Sequence, residues 1–246
     1  DLPQRFVSFF KRSLLIIRTQ IDNNGAIIAA NDSDIVQLGR DTYSYMWPRD
    51  GALVAYALIK SGYMDATKRF FQFCADVISK DGYLLHKYNP DCSFASSWHP
   101  WLKDDKKSLP IQEDGIALVI WALWHHYDEF RDIEFVKPLY RSFIMNAAEF
   151  MVKFRDEETG LPLNSYDLWV ERYGVHTFTV SAVIAGLRAA GNFSYAFGED
   201  EYGRKYNEIA GKMKDALIAY FYDRVERRFA RMGKRTAKGY ELDMTV

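Results

Sequence analysis

Several common signatures of function are missing from this chain. It has two cysteines, Cys74 and Cys92, and no CxxC or Cys/His spacing, so we expect neither a disulfide framework nor a zinc site. No apolar run reaches the roughly 18 residues of a membrane-spanning helix. Because cysteines are few, a reducing cytoplasm is the expected location.

The chain also has no excess of positive or negative charge. The chain carries 32 basic and 33 acidic residues, well mixed along its length, which gives no electrostatic case for nucleic acid or for an anionic membrane. The patterns GxSxG, HExxH, GxGxxG and the P-loop are absent, which argues against the chemistries that they serve. We therefore expect no metal, no cofactor, no nucleic-acid partner and no membrane partner.

Aromatic residues, in contrast, are abundant. They make up 16% of the chain, as 17 Phe, 16 Tyr and 6 Trp. Most of the Phe residues are expected in the core. Tyr and Trp combine an apolar ring with a polar group, and they more often line pockets and interfaces.

Apolar residues recur at helical spacing in seven segments of two kinds. The amphipathic kind has a charged face, the other kind is apolar on nearly every side, and the two alternate along the chain. Each buried helix is therefore predicted to be covered by an exposed neighbour, as in an all-α toroid of helix pairs; an irregular helical bundle is the alternative. The amphipathic segments are 3–19, 63–79, about 136–155 and 201–221, and the apolar ones are 52–59, 116–125 and 178–190.

Two stretches lack this periodicity. Residues 82–111 are rich in Tyr, Trp, Asp and Pro, and an irregular segment of that length in a compact domain is more often functional than idle. Residues 222–246 are charged and show no terminating helix. Residues 26–30 fit a short strand.

The segments that precede the three apolar helices carry the chemistry. These helices begin about 63 residues apart and are predicted to run the same way, so residues 43–50, 112–114 and 167–176 should converge on one face. Each segment supplies acids, and the first and third also supply Trp. Because three segments share this composition, a common site is better supported than it would be by a single segment.

Acids beside aromatic rings are typical of a sugar-cleaving site. Glycoside hydrolysis uses two carboxyl groups, about 6.5–9.5 Å apart in inverting enzymes, while aromatic rings stack on the sugar faces. Trp47, Arg49 and Asp50 would present an indole, a guanidinium and a carboxylate on one turn. Taken alone, Arg49 and Asp50 also fit a helix start with a local ion pair.

Other loop residues are weaker candidates. His86, His99 and His176 lie in loops where each can contact a sugar, and none has a recognisable set of metal ligands. Trp98 and Trp101 are candidates for an outer stacking wall, with surface packing as the alternative.

Residues 43–50, 109–115 and 165–179, taken together, resemble the glucoamylases and related trehalases of glycoside hydrolase family 15. The resemblance is to the bacterial and archaeal branch, and it covers essentially the whole chain. It implies an (α/α)6 barrel and inverting hydrolysis of α-glucosidic bonds from a non-reducing end. A glucoamylase acting on maltooligosaccharides is the first expectation, and a trehalase is the alternative.

The resemblance also implies a substrate pocket. The family's Trp-x-Arg-Asp motif holds the terminal glucose, and residues 47–50 match it. The acids of the second and third segments, and the Trp of the third, are predicted to line the same pocket. The predicted substrate-binding residues are Tyr43, Trp47, Arg49, Asp50, Glu113, Asp114, Asp167 and Trp169.

One departure from the family pattern concerns the general acid. In the family it is usually the first Glu of Leu-Trp-Glu-Glu, and here Val170 occupies that position, followed by Glu171. Valine cannot donate a proton. Either Glu171 is the general acid after a local shift, or the protein is a sugar-binding or regulatory relative that does not hydrolyse.

A second departure concerns length. The family's barrel has twelve helices, and seven are predicted here, so residues 1–246 are expected to form a partial barrel. The general base, the second half and the β-sandwich that usually precedes the barrel in prokaryotic members are expected to be absent. A partial barrel exposes apolar helix sides. We expect this piece to be inactive alone, and to need its remainder or another subunit to cover that side.

Overall fold

The computed structural model describes residues 2–32, 42–103 and 105–245. Most of the described chain is helical, and the helices follow the predicted order. Residues Tyr140–Met145 form a π-helical turn that joins α5 to α6. The helices are α1 Gln4–Thr19, α2 Pro48–Lys60, α3 Met64–Val77, α4 Glu113–Phe130, α5 Ile133–Leu139, α6 Asn146–Lys153, α7 Thr177–Ala196 and α8 Asp200–Phe221.

The helices form two layers. In the inner layer α4 packs between α2 and α7; in the outer layer α3 packs on α2 and α4, α6 on α4 and α7, and α8 along α7. The two inner helices α4 and α7 approach closely at Gly186, where an added Cβ would lie 2.8 Å from the carbonyl oxygen of Ala117. The alternation of helix types therefore predicted the layering, because it reports which helices are covered.

The prediction that the inner helices are buried on nearly every side was wrong for two of them. Leu53 of α2 is 46% exposed and Phe178 of α7 is 40% exposed. The reason is their place in the arc, since each of these helices has an inner neighbour on one side only among the described residues. Helix α1 also buries none of its residues, and its Phe6 and Phe9 are exposed.

The C-terminal stretch forms strands that the sequence analysis did not predict. A four-stranded antiparallel sheet has the order β3-β4-β7-β8, and Val175 of β4 pairs with Gly233 of β7. The predicted strand at 26–30 appears only as isolated bridges, Ile21 to Ile27 and Ile28 to Met46. The strands are β1 Leu102–Lys103, β2 Lys106–Lys107, β3 Ser165–Tyr166, β4 Tyr173–His176, β5 Tyr222–Asp223, β6 Arg228–Phe229, β7 Met232–Thr236 and β8 Gly239–Asp243.

Within residues 2–32, 42–103 and 105–245, no helix is both long enough and apolar enough to span a bilayer.

The first turn of α4 buries two acids. Glu113 is fully buried, and neither of its carboxyl oxygens has a hydrogen-bond partner among the described residues. Burial, together with the charge of Asp114, raises the pKa of Glu113 well above its ordinary value, although Arg155 opposes the shift. Glu113 is therefore protonated in the folded protein at pH values where an exposed glutamate is charged.

Because the folded state holds this proton more tightly, its contribution to stability is complete below the unfolded pKa of about 4.3. That contribution is lost as the pH rises toward the raised pKa of the folded state. Glu113→Gln removes the titration, so we expect the variant to gain stability over the parent as the pH rises from 5 to 8. Urea unfolding at both pH values measures this, with the exposed Glu134→Gln as control. Parallel pH profiles of the parent and Glu113→Gln would contradict the expectation.

Candidate functional site

The start of α2 places a guanidinium between the two inner helices. Pro48 occupies the first helical turn, where its missing N–H is harmless. The buried Arg49 then reaches across to the start of α4, donating to Gln112 Oε1 at 2.8 Å and Asp114 Oδ2 at 3.2 Å. Its Nε lies 3.4 Å from Asp50 Oδ1. Burial raises the pKa of Asp114, and the Arg49 charge and hydrogen bond oppose that shift.

Residues 167–172, which we call the strap, lie against this centre. Arg49 Nη2 donates to the carbonyl oxygen of Leu168 at 3.5 Å, and the Gln112 amide donates to the carbonyl oxygen of Asp167. The carbonyl groups of the strap are thus held by a side chain of α2 and by that of the residue preceding α4. This fixes the distance between the third predicted segment and the first two.

The Asp167 carboxylate is directed into the strap itself. Its Oδ1 accepts from the backbone amides of Glu171 at 2.9 Å and Arg172 at 3.2 Å, and its Oδ2 lies 3.1 Å from the Arg231 guanidinium. Burial raises the pKa of Asp167, but these amides and the positive charge of Arg231 outweigh it and hold the pKa below its ordinary value. Asp167 therefore stays ionised while it shapes the strap.

An aromatic wall, made of Tyr43, Tyr45, Trp47 and Trp98, lies beside Arg49. The Tyr43 and Trp47 rings stack with centroids 5.8 Å apart, and the Trp47 and Trp98 centroids are 5.5 Å apart. The ammonium of Lys87, a residue only 1% exposed, lies 3.9 Å from the Tyr45 centroid and 3.7 Å from the Trp98 centroid. Nothing in the local sequence distinguishes Lys87 from a surface lysine, so this cation–π contact was not predicted.

A partly open cavity of about 220 Å³ lies between the wall, Arg49 and residues 168–170 of the strap. Asp50 presents a carboxylate there that is 42% exposed. Trp169, at the rim, is 72% exposed. The cavity is lined by Tyr43, Trp47, Arg49, Asp50, Trp98, Leu168, Trp169 and Val170.

The structure thus brings five of the predicted substrate-binding residues to one cavity and leaves three outside its lining. Glu113 is buried in the core, Asp114 is paired with Arg49, and Asp167 is bonded within the strap. The directions of the Asp114 and Asp167 side chains depend on Arg49 and Arg231, which lie far away in the sequence. Gln112 could have been singled out, because it precedes α4 at the same point where Trp47 precedes α2.

The predicted general acid lines a different space. Glu171 is exposed and faces a second cavity of about 510 Å³ on the β4-β7-β8 sheet. Val170 lines the aromatic cavity instead, with φ of 60°. The left-handed conformation costs a β-branched residue about 1–2 kcal/mol. The strap would have to move for the Glu171 carboxyl to reach the aromatic cavity.

Two neutral histidines support the loop that carries Trp98. The His86 and His99 ring centroids are 4.2 Å apart, and the Trp98 amide donates to His86 Nε2 at 3.4 Å. Burial, aided by positive neighbours, lowers the pKa of His86 to about 3 and that of His99 to about 4. Neither histidine lines the aromatic cavity, and His176 bonds the Ser165 carbonyl oxygen.

Trp101, the other candidate for a stacking wall, lies outside this cavity as well. In the part of the chain that the structure describes, no three His, Cys, Asp or Glu side chains are grouped as metal ligands would be.

Comparison with known proteins gives a consistent family. The model of the glycosyl hydrolases family 15 matches residues 7–244. An uncharacterized glycosyl hydrolase of Methanocaldococcus jannaschii is 29% identical over 227 residues, which cover 92% of this chain and 33% of that protein. A glucoamylase of a Clostridium strain is 25% identical over 213 residues, covering 82% of this chain and 26% of that protein.

Solved structures agree on the architecture. A bacterial glucoamylase complexed with acarbose has a TM-score of 0.65 at 23% identity, over 85% of this chain and 28% of that chain. The helical layering is thus confirmed as part of the (α/α)6 barrel fold of the glucoamylases. This chain spans about a quarter to a third of the length of the curated relatives it matches. The family match, which extends over nearly all of its residues, shows that the chain belongs to glycosyl hydrolase family 15.

Proposed function

We propose that the aromatic cavity binds the non-reducing terminal glucose unit of an α-glucoside, and that the whole protein is a glucoamylase-like inverting hydrolase. The observation that carries this proposal is the aromatic wall facing the Arg49–Asp50 pair where α2, α4 and the strap meet. A trehalase of the same family is the alternative within this reaction class.

The cavity suits one sugar unit. Its volume of about 220 Å³ lies below the roughly 300–1,000 Å³ of sites for drug-sized ligands. The rings of Trp47 and Trp98 line the cavity and can contact a sugar ring, and the half-exposed Asp50 carboxylate can accept hydrogen bonds from its hydroxyl groups. Arg49 is held by its partners on α4, so its geometry is set before a ligand arrives.

Hydrolysis also requires a second carboxyl group, and Asp50 is the one carboxylate that lines the cavity among the described residues. We infer that the general base lies in another part of the whole protein, and that this part also covers the exposed edges of α2 and α7. The proposed general acid is Glu171, after movement of the strap. A non-hydrolytic sugar-binding function is the second candidate, and Val170 in the cavity lining favours it.

The whole protein that contains this chain is expected to release glucose from maltotriose or, as the trehalase alternative, from trehalose. Inversion at an α-linkage gives β-glucose from the attacked unit, so proton NMR during the first minutes should show that the glucose released from maltotriose is the β-anomer. Trehalose should give equal amounts of β- and α-glucose, because its leaving unit keeps the α-configuration. An initial excess of α-glucose would contradict inversion. No release from either sugar, with acarbose still bound, would support the non-hydrolytic function instead.

Glu171→Gln in the whole protein tests the assignment of the acid. Loss of a general acid is expected to lower kcat by about 100-fold or more. Glu241→Gln is a matched control, because Glu241 is an exposed carboxylate that lines the same second cavity. Near-normal turnover of Glu171→Gln would remove Glu171 from this role. If the parent is inactive and Val170→Glu creates turnover, the non-hydrolytic function is supported.

Trp169→Ala tests the cavity itself. Because Trp169 is exposed, its truncation should leave the fold intact while removing a ring from the cavity rim. We expect the Kd for acarbose, measured by calorimetry, to rise about 10-fold. Trp101→Ala is the control, since Trp101 is also exposed but lies outside the cavity. Equal effects of the two substitutions would contradict the placement of the sugar site.

A further inference from the structure

The strap has a conformation that its own sequence does not favour. Val170 is β-branched and lies in the left-handed region at φ of 60°, where residues of this shape are rare. Such a conformation persists only when the surrounding structure over-determines it. The contacts that hold Val170 therefore decide whether Val170 and Trp169 line the cavity.

Three contacts from outside the strap act on its first two residues. Gln112 and Arg49 bind its carbonyl groups at 167 and 168, before the left-handed residue. The third is the ion pair of Asp167 with Arg231. Through Asp167 Oδ1 this pair also reaches the amides of Glu171 and Arg172, which follow Val170, so it acts on both sides of the strained residue.

Arg231 is itself fixed by the backbone around it. Its amide donates to the carbonyl oxygen of Asp243 in β8, and its carbonyl oxygen accepts from Thr177 at the start of α7. Its guanidinium lies 3.1 Å from Asp167, whose side chain is only 2% exposed. A second ion pair, between Arg172 and Asp243, joins the end of the strap to the same hairpin.

We propose that Arg231 is a positioning residue, which through Asp167 holds the strap in the conformation where Trp169 and Val170 line the cavity. Without the guanidinium, the buried Asp167 carboxylate would lack this charge partner and would turn toward water or take up a proton. Either change weakens its bonds to the amides of Glu171 and Arg172. The strap would then relax out of the left-handed turn. The consequence for sugar affinity rests on the proposed function, whereas the effect on the strap does not.

Hydrogen exchange of the whole protein measures the strap without any sugar. In Arg231→Met, the amides of Glu171 and Arg172 should exchange about 10-fold faster than in the parent. Arg228→Met is the matched control, because Arg228 is an exposed arginine on β6 that lies 3.9 Å from Glu226. If Arg231→Met folds poorly, Asp167→Asn removes the charge of the pair with little change of shape and should give the same faster exchange. Unchanged exchange in these variants would overturn the proposal.

A rescue separates positioning from a general loss of structure. Glycine adopts the left-handed conformation without the cost that valine carries, so Val170→Gly should reduce the dependence of the strap on Arg231. We therefore expect Arg231→Met to raise the Kd for acarbose about 10-fold in the parent and clearly less in the Val170→Gly background. Equal losses in both backgrounds would contradict positioning through the strap. No acarbose binding by the parent would refute the proposed function, while the exchange result would still decide the role of Arg231.

Discussion

The buried guanidinium of Arg49 is the interaction on which the site depends. It is bound to Asp114 and Gln112 at the start of α4 and to the carbonyl oxygen of Leu168 in the strap. One side chain thereby joins two inner helices and the segment that leads to the third. Removing it would leave Asp114 buried without that charge partner, which typically costs about 3–5 kcal/mol. The shape of the cavity therefore depends on how the inner helices pack against one another.

The helices were predictable because apolar periodicity is a local property, and it reports which side of a helix is covered. Trp47, Arg49 and Asp50 were predictable for a related reason, since parallel inner helices must begin at one face. The direction of Asp167 was not predictable, because it is set by Arg231, 64 residues away. The C-terminal sheet was missed for the same reason: its strands are short and charged, and their pairing with β4 is non-local.

Val170 both lines the cavity and strains the backbone of the strap. Its side chain lines the aromatic cavity without offering a hydrogen bond there, and its left-handed conformation costs about 1–2 kcal/mol of backbone strain. Strain at such a place is maintained by the contacts around it. The neighbouring carboxylate of Glu171 faces the second cavity, so the strap separates two spaces and divides its side chains between them.

The acids at the converging segments show how environment, rather than residue type, assigns a role. Glu113 is protonated in the core, Asp114 balances Arg49, and Asp167 is bonded to amides and Arg231. Asp114 and Asp167 would each lose an ion pair if the carboxyl group turned toward a ligand, and Glu113 is buried in the core. Asp50 differs, because its carboxylate is half-exposed and lines the cavity, with one oxygen 3.4 Å from the Arg49 guanidinium. Among the described residues, Asp50 is therefore the one carboxylate that lines this cavity, while Asp114 and Asp167 hold Arg49 and the strap in place beside it.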